Sequence, residues 1–219
     1  MLRNFFAAPD FLSLLRFWED SRRGAAVAQW SGDRALIPPD LLPDLVIAER
    51  DEEVVYRYCG EECVRRFGGD PTGRPVYEAL RGAYRRYVGS LIEDVLRRAA
   101  PLFSSSIFQH NGAVAVTGRL FAPFIRPGSA APSIIMGIHL FRGDEFPLRA
   151  VGDSGVIDET QRLLISGVPE LCARLEDARR YHQLARIARH EPSAGEWDDI
   201  ARRLSRGALV PLETFRDAG

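Results

Sequence analysis

The chain has 219 residues, of which 46% are hydrophobic, and a formal net charge of -1. That length fits one domain with extensions or two small ones, with ample apolar material for a packed core. The near-neutral balance excludes a global field that would favour nucleic acid or an anionic membrane surface. Every one of the 29 basic residues is arginine, and they are scattered among 30 acids, so none of them marks out a dedicated phosphate-binding face.

The first element is an amphipathic helix. Phe11, Leu14, Leu15 and Trp18 fall at i, i+3, i+4 and i+7 on one face. Pro9 suits its first turn and Gly24 its end. Asp10, Arg16, Glu19 and Asp20 give this stretch the character of an amphipathic helix and not of a secretory leader. No run approaches the roughly 18 apolar residues of a membrane span. Three cysteines and these absences lead us to expect a soluble, cytoplasmic protein with reduced thiols. A polar, irregular linker follows, up to residue 36.

Residues 37 to 80 read as one folded phrase. Pro38, Pro39 and Pro43 lead into a short apolar strand over 44 to 48, and an acidic turn, Glu49 to Glu53, follows it. Val54, Tyr56 and Tyr58 alternate with Val55, Arg57 and Cys59 at period two, a second strand. A short helical piece, Cys63 to Phe67, and the breaker cluster GGDPTG close the phrase.

Residues 81 to 100 form a long helix. Its stripe includes Tyr84, Tyr87, Val88, Leu91, Ile92 and Val95, opposite several arginines, and Pro101 stops it. Three strands come next. Leu102 to Gln109 ends at His110-Asn111-Gly112, a strong hairpin signal because Asn-Gly accepts positive φ at both central turn positions. Val114 to Ile125 is the second, with Pro123 arguing for an edge or a bulge near its end. Ser133 to Phe141 is the third. Ile134, Met136, Ile138 and Leu140 form one of its faces, and Ile135, Gly137, His139 and Phe141 the other; both are largely apolar and both need a cover. The inner face faces the domain's helices. The outer face is expected to be covered by the N-terminal helix, a second subunit, or both.

From Asp153 onward the pattern reads as helical. Asp158 to Gly167 opens with a capping-like Asp-x-x-Gln. Leu171, Leu175, Ala178, Leu184, Ala185 and Ala188 lie on a stripe, and Ser193 to Glu196 forms a capping box before a last short helix over 197 to 204.

The residues from about Phe11 to Phe141 resemble the PAS-like family common in alphaproteobacteria, once a domain of unknown function. The resemblance is carried by Trp18 and Arg22 at the end of the first helix, and by the stretches LLPDLVIAER, VVYRYCGEE and RFGGDPTGRPVYEAL. It implies a sensory or signalling role and carries over no catalytic residues.

Several residues have chemistry worth weighing. Arg57 is read as the salt-bridge partner of the acidic turn. Thr72-Gly73-Arg74 is read as a capped helix start, with Thr72 as N-cap. Cys59 and Cys63 lack a second pair to complete a tetrahedral metal site and are read as buried thiols, as is Cys172 in helix packing. His139 is read as a core or interface residue that could sense pH. His190-Glu191 is followed by Pro192, which breaks the helix a phospho-accepting histidine needs. No P-loop, Gly-x-Ser-x-Gly, His-Glu-x-x-His or Rossmann glycine pattern occurs.

The expected architecture is α+β: a PAS-like five-stranded antiparallel sheet over 37–152 with helices on one face, an N-terminal helix and linker over 1–36, and a C-terminal helical extension over 153–219. The expected function is a non-enzymatic sensory protein that binds a small ligand or a protein partner. It would relay through flanking helices to a downstream signalling protein and work as a homodimer, without nucleic acid or membrane. Tyr56, Tyr58, Phe67, Tyr77, Tyr84, Val88, Met136 and Ile138 are the expected cavity lining. No cofactor is identified. The alternatives are a small enzyme in the same cavity and a packed, ligand-free scaffold.

Overall fold

The computed structural model describes residues 8–143, 156–173 and 209–211. Helix α1 spans Pro9–Arg22, with Pro9 at its first turn and Arg23 closing it in the left-handed conformation. A short strand β1, Ala28–Gln29, follows. The hairpin β2 (Leu45–Arg50) and β3 (Val54–Cys59) leads into α2 (Glu61–Phe67), α3 (Val76–Ala79) and the long α4 (Gly82–Arg98). Strands β4 (Leu102–His110), β5 (Ala113–Ile125) and β6 (Ile134–Gly143) form the meander. Strands β7 (Val156–Ile165) and β8 (Leu209–Pro211) lie further along the chain, and residues 168–173 after β7 are helical. None of the described helices is long and apolar enough to cross a membrane.

The fold is α+β around an antiparallel sheet in the order β3-β2-β6-β5-β4-β7-β8, with β1 running parallel beside the end of β5. The five expected strands are β2 to β6. The last strand of the meander returns to pair with the first strand of the hairpin, so β2 lies between β3 and β6. Asn111 and Gly112 take φ of +50° and +81°, the two positive values that a two-residue hairpin requires, and they set the β4–β5 register.

Helices α2 to α4 lie on one face of the sheet and α1 on the other, the placement expected for the N-terminal helix. Two expectations about the sheet are corrected. Among the described residues it has eight strands, not five. The stretch read as a helix from Asp158 to Gly167 is strand β7, paired to β4 along its length. A bulge accounts for that misreading. Ser105 pairs with Gln161 and Ser106 with Glu159, which leaves Thr160 as an extra residue and breaks the two-residue alternation. The Thr160 hydroxyl bonds back to the Ser105 carbonyl at 3.0 Å. The expected stripe beyond Cys172 and the last short helix lie outside the described residues, apart from buried Leu171.

The two faces of the sheet carry two separate cores. On one, Phe11, Leu12, Leu14, Leu15 and Trp18 of α1 pack on Ile134, Met136 and Ile138 of β6 and on Leu120, Ala122 and Phe124 of β5. Each such buried Leu, Ile, Met or Phe side chain contributes roughly 1.5–3 kcal/mol. Helix α1 is therefore the cover that the outer face of β6 needs. Pro123 stands where β4 has run out at Phe121 and before β1 takes over at Phe124, so its missing N–H costs no ladder bond. Its carbonyl accepts a hydrogen bond from Trp18 Nε1 at 2.7 Å. On the other face, Leu91, Ile92 and Val95 of α4 pack with Val54, Leu102, Phe108 and Ile135.

Candidate functional site

The second core is incomplete. Between the sheet and α2 and α4 lies a cavity of about 50 Å3. Val46, Ala48, Tyr56, Ile135 and Phe121 form its sheet side, Cys63, Arg66 and Phe67 reach it from α2, and Tyr84, Val88 and Ile92 from α4. Arg119 and His139 also line it. They are cross-strand partners on β5 and β6, so both side chains project from the same face of the sheet. Gly137 widens the floor: a Cβ there would lie 2.5 Å from Cδ1 of its cross-strand neighbour Phe121.

Of the eight expected lining residues, Tyr56, Phe67, Tyr84 and Val88 line the cavity. Tyr77 does not; its ring packs against Gly89 and its hydroxyl lies 3.4 Å from Glu93 Oε1. Tyr58, Met136 and Ile138 belong to the opposite core, beneath α1. For Met136 and Ile138 the strand alternation is as read, but the cavity is on the other face, with Ile135, Gly137 and His139. For Tyr58 the alternation itself is broken. Ile47 pairs with Tyr58 and Ala48 with Tyr56, so Arg57 is a bulged extra residue and the two tyrosines face opposite ways. The Tyr58 hydroxyl donates to the Leu42 carbonyl at 3.0 Å. Arg57 Nε donates to Glu49 Oε2 at 2.9 Å, the ion pair with the acidic turn that its position suggests.

Arg119 dominates the cavity. Its residue exposure is 1%, and the guanidinium carbon sits 4.8 Å from the Phe108 ring centre, 5.0 Å from Tyr87 and 5.6 Å from Tyr84. Nη1 donates to Thr117 Oγ1 at 2.9 Å and to Ser106 Oγ at 3.0 Å. Nε and Nη2 are sealed from solvent and have no hydrogen-bond partner. No carboxylate pairs with this guanidinium among the described residues. Three aromatic faces offset part of the desolvation of the charge, at about 2 kcal/mol or more for a well-desolvated cation–π contact. A buried cation still costs several kcal/mol when no anion accompanies it.

His139 has a matching deficit. Its Nε2 is sealed from solvent and unpartnered. Burial, then the nearby charges of Arg119 and Arg66, hold its pKa well below the ordinary 6.5, so the ring is neutral at pH 7. Arg66 is itself paired: Nη1 donates to Asp44 Oδ1 at 3.0 Å and to the His139 carbonyl at 2.6 Å.

Burial pushes the Cys63 thiol up to about 12, and its Sγ donates to the Asp44 carbonyl at 3.2 Å. Burial likewise raises Cys59 to about 12. Neither supplies thiolate at neutral pH. Burial raises Tyr84, opposed by Arg119. Thr72 is not a helix cap. Its amide donates to Asp70 Oδ1, α3 starts after Pro75, and the turn is stitched to β3 through Gly73 N to Tyr56 O and Tyr56 N to Arg74 O. Among the described residues no group of His, Cys, Asp and Glu side chains could hold a metal ion.

Sequence reasoning missed Arg119. The available signal was its place in the middle of β5, a strand flanked on both sides and covered on both faces, where an arginine has no route to solvent.

No family model matches the chain, and no curated protein matches it either.

Proposed function

We propose that this is a non-enzymatic, PAS-like sensory protein that binds a small molecule in the cavity between the sheet and α2 and α4. The observation that carries this reading is the buried Arg119 guanidinium, without a counter-ion, among the residues that line a mostly apolar cavity. The element order supports it too: hairpin, small helices, long helix and returning meander, as the resemblance implies. Binding is favoured over chemistry because the described lining residues include no carboxylate, and the Cys63 thiol among them is held protonated by burial. Ligand occupancy would bias the packing of α2 and α4, and the flanking helices would pass that bias to a protein partner. Self-association as a homodimer is part of the same proposal; a light-scattering mass of one chain at high concentration counts against it.

Native mass spectrometry of the purified protein tests the central claim. A reproducible mass above that of the bare chain, lost on denaturation, is the expected result. A bare chain that no small molecule stabilises would favour the scaffold reading instead.

A further inference from the structure

We propose that the cavity is a carboxylate site, in which Arg119 grips the head group of a short-chain organic acid and His139 completes its hydrogen bonding. The inference rests on the small-ligand reading above and names the ligand's chemistry. Of the five N–H groups of a guanidinium, those on Nη1 face the hydroxyls of Thr117 and Ser106. The unpartnered atoms, Nε and Nη2, form one edge of the fork. Their two N–H bonds run nearly parallel, which is the spacing a carboxylate accepts bidentately. A single carboxylate would satisfy both orphaned donors and neutralise the buried charge. The neutral His139 ring, with its unpartnered Nε2, would donate a third bond as the Nε2–H tautomer from the same face of the sheet.

The rest of the cavity sets the tail. Val46, Val88, Ile92 and Ile135 line it with hydrocarbon, so the group beyond the carboxylate is apolar. A volume of about 50 Å3 admits only a few non-hydrogen atoms, since one water needs about 10–15 Å3 on this measure. Acids from acetate to butyrate fit that description. A phosphate or a dicarboxylate brings a second charge that no further unpaired cation among the described lining residues receives.

Acetate, propionate and butyrate are titrated against the full chain at constant ionic strength, with acetamide as neutral isostere and chloride as salt control. Calorimetry and the thermal midpoint follow binding. Saturable carboxylate binding, at least about tenfold tighter than acetamide, is expected from the charge-assisted pair. Arg119→Met should abolish it, and Arg119→Lys, which keeps charge but loses the fork, should weaken it by about tenfold or more. The Arg119 Nε–H resonance of the unaltered protein should shift on adding propionate, a readout that needs no variant to fold. Carboxylate binding that survives in folded Arg119→Met, or that is no tighter than chloride, overturns the inference. Binding of acetamide without carboxylate preference overturns the carboxylate assignment and leaves the small-ligand reading standing. Failure of every probe, together with a bare-chain native mass, sinks both.

Discussion

Among the described residues two arginines are buried in this sheet, and they are treated in opposite ways. Arg162, on β7, is 7% exposed and saturated with anions. Its Nη1 donates to Asp94 Oδ2 of α4, its Nε and Nη2 to the two Glu159 oxygens, and Nη2 also to Ser90 Oγ, each at 2.8 Å. Ser104 extends the network, donating to Glu159 Oε1 at 2.9 Å and sharing a hydrogen bond with the Tyr87 hydroxyl. Arg119, two strands away, receives hydroxyls and aromatic faces and no carboxylate. The same residue type is a clasp in one place and an open donor in the other. Burial alone therefore does not mark a functional arginine; the absence of its counter-ion does.

The contrast can be broken by matched substitutions. Arg162→Met leaves the half-buried Glu159 without its cation and the buried Asp94 with only the surface Arg97 and Arg98, and a loss of about 3 kcal/mol, the low end for a broken buried pair, is expected in urea unfolding. A cost under about 1 kcal/mol there would mean that the network is ornamental. Gly137→Ala acts on the Arg119 side without touching a charge. Its Cβ drives into Phe121, at a cost of about 1–3 kcal/mol, and it narrows the cavity, so any ligand-induced rise in thermal midpoint should shrink with it.

The third test uses pH. His139 keeps its proton off in the folded state, because burial and the charges of Arg119 and Arg66 depress its pKa below the unfolded 6.5. The rings of Phe108 and Phe141 pack against the imidazole from β4 and β6. Between the depressed value and 6.5 the unfolded chain binds the extra proton, so stability rises with pH and is lost as pH falls below 6.5. The slope from this one group approaches about 1.4 kcal/mol per pH unit, and His139→Phe should remove it. An unchanged slope in that variant would show that another group carries the dependence. The smallest effect is expected from Arg119→Met. It exchanges an unpaired buried cation for hydrocarbon, and stability should stay within about 1 kcal/mol or rise. A loss as large as that of Arg162→Met would make Arg119 a structural residue and erase the distinction.

Much of the architecture was legible. The stripe of α4, the Asn-Gly hairpin and the apolar faces of β6 follow from local rules that the structure obeys. Two of the errors sit at bulges. An extra residue at Arg57 turned Tyr58 to the opposite face, and one at Thr160 hid a strand behind what looked like a helical start. A bulge is decided by the partner strand, and a single strand carries no mark of it. Phe67, Tyr84 and Val88 line the cavity because they lie on helices whose inner faces are set by their own periodicity, whereas Tyr56 shares a strand with the bulge that turns Tyr58 away.

By itself the sequence determined that the chain folds as α+β, where its strong helices and turns fall, and that both faces of β6 need covers. Those properties depend on the period of neighbouring side chains. Only the tertiary structure decided which face holds the cavity, and that Arg162 meets two carboxylates while Arg119 meets none. Asp94 lies 68 residues from Arg162, and the pairing exists only because α4 packs across β4 and β7. Whether a buried charge is answered or left open is a property of that long-range packing.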